Sequence, residues 1–301
     1  MKAIQFNKYG GPEVLKVAEI DEPHAGPGQV RIAVQSAGIN PLDWKLRSGL
    51  LREFRPVSFP AGTGMEGAGI VDELGQGVTD VSVGDPVFGF GTNTVAEYAV
   101  LTSWARKPDS LSFEEAAGFP AAVETATRIL AQVGIKSGET LLVNAAAGGV
   151  GSAVIQFARQ QGMTVIGTAS VPKHDYLREL GAIPTTYGPG LVERVRKLAP
   201  NGVNAALDLA GSGIISELVE LVGNPSRVLS IVDFTAPQYG AQVSSEAQAN
   251  PEKAFAEAAR LYSQSAFHLR VEKTFPLTQT AEAHKISEAG HVTGKLVINI
   301  A

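Results

Sequence analysis

The stretch Leu141–Ser170, LLVNAAAGGVGSAVIQFARQQGMTVIGTAS, decides the fold. It opens with an apolar run, turns at a cluster of small residues, continues as an amphipathic segment and closes with a second apolar run. A strand, a glycine turn, a helix and another strand in this order predict a right-handed βαβ unit with parallel strands.

The turn of this unit has the composition of a dinucleotide-binding loop. Residues 146–151, AAGGVG, fit the pattern G-x-G-x-x-G with alanine at the first glycine. Small residues permit the tight turn, the approach of the backbone to a pyrophosphate and close packing of the helix on the strand. We therefore predict that Ala147, Gly148, Gly149 and Val150 contact the cofactor, with the amides of Gly149 and Val150 at the helix N-terminus facing the pyrophosphate.

The end of the second strand indicates which dinucleotide is bound. Selectivity for NAD usually comes from an acid about 20 residues after the turn, which accepts a hydrogen bond from the ribose 2′-hydroxyl. Here the strand ends at Ser170, and the first carboxylate is Asp175. Ser170 and Lys173 instead offer a hydroxyl and a positive charge, which suit the 2′-phosphate of NADP(H).

Tyr187, at the end of the third strand, is a further candidate for the same phosphate. Both readings have a plain structural alternative. Lys173 can simply begin a solvated helix, and a half-buried aromatic residue at a strand end is common.

Alternation of strands and helices continues from residue 171 to residue 233, which predicts a doubly wound parallel sheet. The backbone of Ile231 and Val232 ends the fifth strand at the ligand-binding edge and is a candidate for the nicotinamide carboxamide. Residues 1–112 instead contain short strands between Gly- and Pro-rich turns. The predicted domains are 1–118 and 266–301, β-rich, and 119–265, which binds the dinucleotide.

Composition excludes several classes of function. The 301-residue chain has a net charge of −5, so no general attraction to nucleic acid or to anionic membranes is expected. It has no cysteine, which excludes disulfides, thiolate nucleophiles and Cys-ligated metals. No apolar run approaches the ~20 residues of a transmembrane helix. We expect a cytoplasmic protein with no membrane partner.

Several motifs in order resemble one family. The chain is similar to the zinc-independent quinone oxidoreductase branch of the medium-chain dehydrogenase/reductase superfamily, with matching segments GPEVLKV, AGINPLDWKLRSG, GTGMEGAGIV, GDPVFGF, VAEYAV, AAGFPAAVETA, NAAAGGVG and HVTGKLVI. The resemblance implies an α/β protein in which a GroES-like catalytic domain is interrupted by a Rossmann domain. It also implies an active site between the two domains, a nicotinamide coenzyme and a homodimer.

The resemblance also bears on the metal. Zinc-dependent relatives bind zinc through cysteine and histidine, whereas this chain has no cysteine and has Met65 where the histidine of a GHE motif commonly stands. The acid of that motif, Glu66, is retained, and we interpret it as structural. No metal site is predicted.

The matching motifs supply the remaining candidate residues. Asn40 matches an asparagine of the family's catalytic cleft and is expected to donate its amide to a carbonyl or to the nicotinamide region. Thr125 matches the family's position near the nicotinamide, although a threonine early in a helix often only caps it. Lys295, in the closing GK, is expected to reach the cofactor.

Lys45 departs from the tyrosine found near this position in several quinone reductases. Its ammonium could stabilise an enolate oxygen or deliver a proton. The alternative is a lysine whose charged head lies in water.

Three functions stay open on the sequence alone. The leading hypothesis is reduction of quinones or α,β-unsaturated carbonyl compounds by NADPH. The second is reduction of an enoyl thioester. The third is a cofactor-binding protein without enzymatic activity, which has a regulatory role or binds nucleic acid.

Overall fold

The computed structural model describes residues 1–245 and 250–301. They form two compact units, which we call the first unit (Met1–Ala121 and Asn250–Ala301) and the second unit (Ala122–Ala249). The strands are β1 Lys2–Phe6, β2 Lys16–Glu19, β3 Val30–Ile39, β4 Ala61–Gly62, β5 Glu66–Leu74, β6 Pro86–Thr92, β7 Tyr98–Arg106, β8 Thr140–Asn144, β9 Thr164–Thr168, β10 Ile183–Thr185, β11 Ala205–Asp208, β12 Val228–Ser230, β13 Gln242–Val243, β14 Val271–Pro276 and β15 Lys295–Asn299. The helices are α1 Pro41–Ser48, α2 Phe113–Ala117, α3 Phe119–Val133, α4 Gly149–Gln160, α5 His174–Glu179, α6 Leu191–Leu198, α7 Ile215–Val222, α8 Glu252–Ser263 and α9 Thr280–Ala289.

The second unit contains a six-stranded sheet in the order β10-β9-β8-β11-β12-β13, and every pairing in it is parallel. Counted within the unit, this is the strand order 3-2-1-4-5-6 of the Rossmann fold. The strands are buried on both faces, as the continuous burial of Leu141, Leu142 and Val143 shows. The predicted α/β class with a doubly wound parallel sheet is confirmed.

Helices cover this sheet with apolar side chains. In α4 every residue from Gly151 to Ala158 is buried. In α6 burial is confined to Leu191 and Val195, four residues apart on one stripe, which join a cluster with Leu142 and Ile166 of the sheet. The parallel sheet therefore lies between layers of helix, with its carboxyl edge left to loops.

The first unit is built mainly from antiparallel strands. Its larger sheet has the order β14-β15-β3-β5-β6-β7, and an additional pairing of β3 with β7 brings the sheet back on itself. A smaller sheet has the order β2-β1-β4. In β3, Val30, Ile32 and Val34 alternate with less buried residues, so one face of the strand forms the core. This arrangement confirms the GroES-like part of the fold.

Helix α8 belongs to the first unit, whereas the sequence analysis included its residues in the dinucleotide-binding segment 119–265. The reason is aromatic packing, because the ring of Phe255 lies 5.3 Å from that of Phe90 and 6.0 Å from that of Phe88. Among the described residues, no helix is both long and apolar enough to cross a membrane.

Candidate cofactor site and active-site residues

The glycine turn leaves backbone donors at the start of α4. Ala145 takes a left-handed conformation (φ 61°) directly after β8, and Gly148 is the extended N-cap of the helix. No described side chain caps this terminus. Within the described part of the chain, the amides of Gly149 and Val150 have no hydrogen-bond acceptor. Free amides and the positive end of a helix dipole together favour an anion such as a pyrophosphate.

Two positions of this turn favour glycine for different steric reasons. A Cβ on Gly151 would lie 2.5 Å from the carbonyl oxygen of Ala146, so only glycine lets α4 pack this closely on the turn. Among the described residues, a Cβ on Gly148 would meet nothing nearer than the Ala145 carbonyl oxygen, at 3.8 Å. The described residues therefore leave space beside Gly148 for the approach of a phosphate.

A ladder of buried polar side chains crosses the carboxyl ends of four neighbouring strands. It consists of Thr168, Asn144, Asp208 and Ser230, which end β9, β8, β11 and β12 and are each at most 2% exposed. Thr168 Oγ1 donates to Asn144 Oδ1 (2.7 Å), Asn144 Nδ2 donates to Asp208 Oδ1 (3.0 Å), and Ser230 Oγ donates to Asp208 Oδ2 (2.8 Å). Each buried polar group is thereby satisfied by its neighbour. We call this set the polar ladder.

The polar ladder also holds the loops that follow the strands. Thr168 Oγ1 accepts from the amide of Ala145 (3.1 Å), and Asp208 Oδ1 accepts from the amides of Ala210 and Gly211. Ser230 Oγ accepts from the amide of Val232 (3.2 Å). Sequence analysis missed the ladder, although one signal was available. A polar residue ends each of four strands whose interior residues are apolar.

In Ile231 and Val232, predicted to bind the nicotinamide carboxamide, the backbone N–H and C=O groups differ in availability. The amide of Ile231 donates to the carbonyl oxygen of Asp208 (3.2 Å), and that of Val232 is used by Ser230. Their carbonyl oxygens accept no hydrogen bond from the described residues and are the groups available to a carboxamide.

Thr125, predicted to lie near the nicotinamide, has charged neighbours. Its hydroxyl lies 3.3 Å from Glu124 Oε2 and 3.5 Å from Arg128 Nη2.

The residues predicted for the 2′-phosphate lie at the ends of adjacent strands. Thr168 of β9 pairs with Thr185 of β10, and the amide of Ala169 donates to the carbonyl oxygen of Thr185 (3.0 Å). Ser170 therefore emerges beside the loop that holds Tyr187, whose side chain is 51% exposed. Lys173 closes the short 3₁₀ turn that follows Ser170, with its amide bonded to the Ser170 carbonyl oxygen.

The first acid after Ser170 and Lys173 in the sequence is already paired. Asp175 lies 2.6 Å from the guanidinium of Arg178, three residues further along α5. The geometry thus brings a hydroxyl, a lysine and a phenol to one edge of the sheet, without a free carboxylate beside them in the sequence.

In the first unit, Asn40, Glu66 and Lys295 form a buried network. The ammonium of Lys295 donates to Asn40 Oδ1 and to Glu66 Oε1, each at 2.6 Å, and Asn40 Nδ2 donates to Glu66 Oε1 at 2.7 Å. Glu66 Oε2 accepts from the amide of Ala121 (2.7 Å). Both ends of the Asn40 amide are therefore fixed, and one N–H of Nδ2 is left for another acceptor.

Asp43 contacts this network through the backbone of Asn40. Its Oδ2 accepts from the amide of Asn40 (2.7 Å), which caps α1. Burial, together with the nearby Glu66, raises the pKa of Asp43 to about 7, although the backbone hydrogen bonds and Lys295 act in the opposite direction. Through this contact Asp43 anchors the start of α1, where Asn40 lies.

Lys45 has a different environment from Lys295. It is half buried on α1, and its Nζ lies 5.7 Å from the centroid of the Trp44 ring. Burial lowers the pKa of its ammonium. In residues 1–245 and 250–301 no hydrogen bond or ion pair involves this ammonium, so it can serve as a proton donor or as a positive charge for an oxyanion.

Comparisons with known proteins agree with these observations. A family model for the alcohol dehydrogenase GroES-like domain matches residues 26–109, and one for zinc-binding dehydrogenases matches residues 184–298. The chain is 31% identical to a quinone oxidoreductase of Pseudomonas aeruginosa, with 99% of each protein covered. It is also 31% identical to the chloroplastic NADPH-dependent alkenal/one oxidoreductase of Arabidopsis thaliana, of which it covers 79%.

Two further matches define the range of the likeness. The alignment with the rat synaptic vesicle membrane protein VAT-1 homolog is 34% identical and covers 76% of this chain but only 59% of that protein. The Escherichia coli quinone oxidoreductase complexed with NADPH has a TM-score of 0.88 and 26% identity, with 100% of both chains covered. The chain belongs to the quinone oxidoreductase branch of the medium-chain dehydrogenase/reductase superfamily.

Proposed function

We propose that the protein is an NADPH-dependent oxidoreductase that reduces quinones or α,β-unsaturated carbonyl compounds by hydride transfer. One observation supports the cofactor above all others. The free amides at the start of α4 and the group Ser170, Lys173 and Tyr187 lie along the carboxyl edge of one parallel sheet. That edge is where Rossmann folds bind dinucleotides.

The substrate class follows from the relatives. A quinone oxidoreductase and an NADPH-dependent alkenal/one oxidoreductase both align with nearly the whole chain. Both substrate types carry a carbonyl oxygen that becomes negative when a conjugated system accepts a hydride. The protein therefore needs a cofactor site and a group that stabilises this oxygen.

The residues of this chain divide those tasks. When bound, NADPH supplies the hydride. Free amides of Gly149 and Val150 hold the pyrophosphate, and the carbonyl oxygens of Ile231 and Val232 orient the carboxamide. Asn40 donates its remaining N–H to a substrate carbonyl, and Lys45 stabilises the oxyanion or donates the proton. Lys295 acts on Asn40 through the hydrogen bond between them.

A catalytic zinc does not fit these residues. The chain has no cysteine, and Met65 precedes Glu66 where a histidine would be needed. Glu66 itself is engaged by Lys295 and Asn40. Among the described residues, no group of three or more His, Asp or Glu side chains is arranged to hold a metal. We therefore assign no step to a metal.

The test is NADPH oxidation by the purified protein with three acceptors: a small benzoquinone, a simple enone and an enoyl thioester. Turnover of the quinone or the enone supports the proposal. Preferential turnover of the thioester would replace it with the enoyl-thioester hypothesis. Tight NADPH binding with no turnover of any acceptor would favour a non-enzymatic role.

Lys45→Met tests the role of the ammonium. We expect kcat to fall by about 100-fold, the usual scale for loss of a general acid, with the Kd for NADPH unchanged. Lys45→Arg keeps the charge but cannot release a proton at neutral pH, so it separates charge stabilisation from proton donation. A wild-type rate in Lys45→Met would show that the lysine is only solvated.

We also propose a cytoplasmic homodimer. The support for the dimer is the edge strand β13, which among the described residues pairs on one side only, with β12, and can pair with a second copy. Light scattering of the purified protein tests the dimer, since a monomeric mass at micromolar concentration would remove it. A fluorescent fusion shows the compartment.

A further inference from the structure

The loop between β10 and α6 is held by a single guanidinium. Arg194, in the first turn of α6, donates through Nη2 to the carbonyl oxygens of Thr186 (2.9 Å), Gly188 (3.0 Å) and Tyr187 (3.3 Å). Its Nη1 donates to the carbonyl oxygen of Pro189 (2.7 Å). Four successive carbonyl groups therefore converge on one side chain, which fixes the backbone of the loop on both sides of Tyr187.

The positive charge of Arg194 has no carboxylate to neutralise it. Within residues 1–245 and 250–301, no ion pair involves this side chain. Carbonyl dipoles satisfy both Nη atoms, and Nε is buried with no hydrogen-bond partner among the described residues. The guanidinium thus cannot leave the loop to bind a ligand without giving up its hydrogen bonds to four carbonyl groups at once.

The residue that this arrangement presents is Tyr187. Its side chain is half exposed, and its hydroxyl has no hydrogen-bond partner in the described part of the chain. The strand before it is fixed by the pairing of Thr185 with Thr168, and the loop after it is fixed by Arg194. Because the backbone is already fixed, binding at this phenol costs the rotamer entropy of one side chain and not the ordering of the loop.

We propose that Arg194 is a positioning residue for coenzyme selectivity, which holds Tyr187 in place for the 2′-phosphate of NADPH. This proposal rests on the proposed function, because it requires that NADPH is the coenzyme. It assigns Arg194 no contact with the phosphate. The selectivity arises from the phenol, and the guanidinium keeps that phenol beside Ser170 and Lys173.

The test uses two probes that differ by one phosphate, adenosine 2′,5′-bisphosphate and adenosine 5′-monophosphate, with binding measured by calorimetry. Arg194→Lys keeps the charge but cannot donate to four carbonyl groups in this geometry. We expect it to weaken binding of the bisphosphate by about 10-fold, the scale of one charge-assisted hydrogen bond, with monophosphate binding unchanged. Tyr187→Phe should give the same pattern.

The double variant shows whether the two residues act as a unit. If Arg194 acts through Tyr187, Arg194→Lys combined with Tyr187→Phe loses about 10-fold, not the product of the two single losses. Arg196→Lys is the matched control, because Arg196 lies on the same helix but pairs with Glu220 (2.7 Å). It should leave both probes unaffected.

Three outcomes overturn the proposal. Arg194→Lys can bind the bisphosphate as well as the wild type does. It can weaken both probes equally, which would indicate a purely structural role. The losses in the double variant can also multiply, which would indicate that Arg194 acts on the phosphate independently of Tyr187. Failure of the proposed function is distinguishable, since the wild type itself would then not prefer the bisphosphate.

Discussion

Lys295 places a positive charge in the interior of the first unit, where its side chain is only 5% exposed and Glu66 is fully buried. Removing the cation from a buried ion pair costs about 3–5 kcal/mol, because the remaining carboxylate is left unneutralised. We therefore expect Lys295→Met to lower the free energy of unfolding of the first unit by about this amount. Urea unfolding followed by tryptophan fluorescence measures it, since Trp44 and Trp104 both lie in this unit.

A second variant separates the ion pair from the predicted contact with the cofactor. Lys295→Met combined with Glu66→Gln removes both charges and should recover most of the lost stability. The Kd for NADPH is measured in the same variants. A raised Kd with unchanged stability would favour direct cofactor binding by Lys295 over its role as the counter-ion of Glu66.

Sequence reasoning selected Asn40 and Lys295 from motifs but did not predict that they bind each other. They are 255 residues apart in the chain, and Lys295 and Glu66 are 229 apart. Periodicity and motif spacing describe local structure, so they carry no signal for such a contact. Arg194 was missed for a related reason, because its acceptors are backbone carbonyl groups, which any sequence provides.

At the scale of elements, the turn between β8 and α4 allows two glycine substitutions with different expected results. Gly151→Ala places a Cβ 2.5 Å from the Ala146 carbonyl oxygen, so α4 must shift away from the turn. Such overpacking costs about 1–3 kcal/mol of stability. Because the same shift moves the free amides, we also expect weaker binding of both NADPH and NADH.

Gly148→Ala is the matched variant. Its Cβ meets no atom of residues 1–245 and 250–301 nearer than 3.8 Å, and the backbone (φ −77°, ψ 175°) suits any residue. Stability should change by less than about 1 kcal/mol, the scale of an N-cap exchange. Binding of both coenzymes should fall, because the methyl group occupies the space of the pyrophosphate. Thermal unfolding and coenzyme titration of the two variants check this, and unimpaired binding in Gly148→Ala would place the pyrophosphate elsewhere.

Most elements of the second unit could be predicted because they belong to one regular alternation of strands and helices. The strands β8 to β12 and the helices between them appear in the sequence as alternating apolar runs and amphipathic segments. The strand β13 was not predicted, since it has only two residues, Gln242 and Val243. The polar ladder was not predicted either, because its members are neighbours only once the strand order is known.

At the scale of the whole molecule, two buried side chains change the free energy of unfolding in opposite directions as the pH falls. His284 is fully buried on α9, and neither ring nitrogen has a hydrogen-bond partner among the described residues. Burial, with the nearby Arg47, lowers the pKa of His284 from 6.5 to about 3. Below pH 6.5 the unfolded chain binds a proton at this histidine, whereas the folded protein does not. The free energy of unfolding therefore decreases as the pH is lowered from 6.5 to about 3.

Asp43 has the opposite effect. Its pKa is raised from 3.8 to about 7 in the folded protein. As the pH falls below 7, the folded state takes up a proton at Asp43 that the unfolded chain does not bind until about 3.8. The contribution of Asp43 to the free energy of unfolding therefore increases as the pH is lowered from 7 to about 3.8, and it is lost as the pH rises through 7.

Each proton is worth about 1.4 kcal/mol per pH unit, so the two effects should nearly cancel between pH 6.5 and 4 in the wild type. His284→Leu leaves Asp43 alone, and we expect its stability relative to the wild type to increase by about 2 kcal/mol as the pH falls from 6.5 to 4.5. Asp43→Asn leaves His284 alone and should lose a similar amount over the same interval. Urea unfolding followed by tryptophan fluorescence at each pH measures both differences. Parallel pH profiles in all three proteins would contradict the assignment of these groups, because a side chain that titrates alike in both states cannot change the slope.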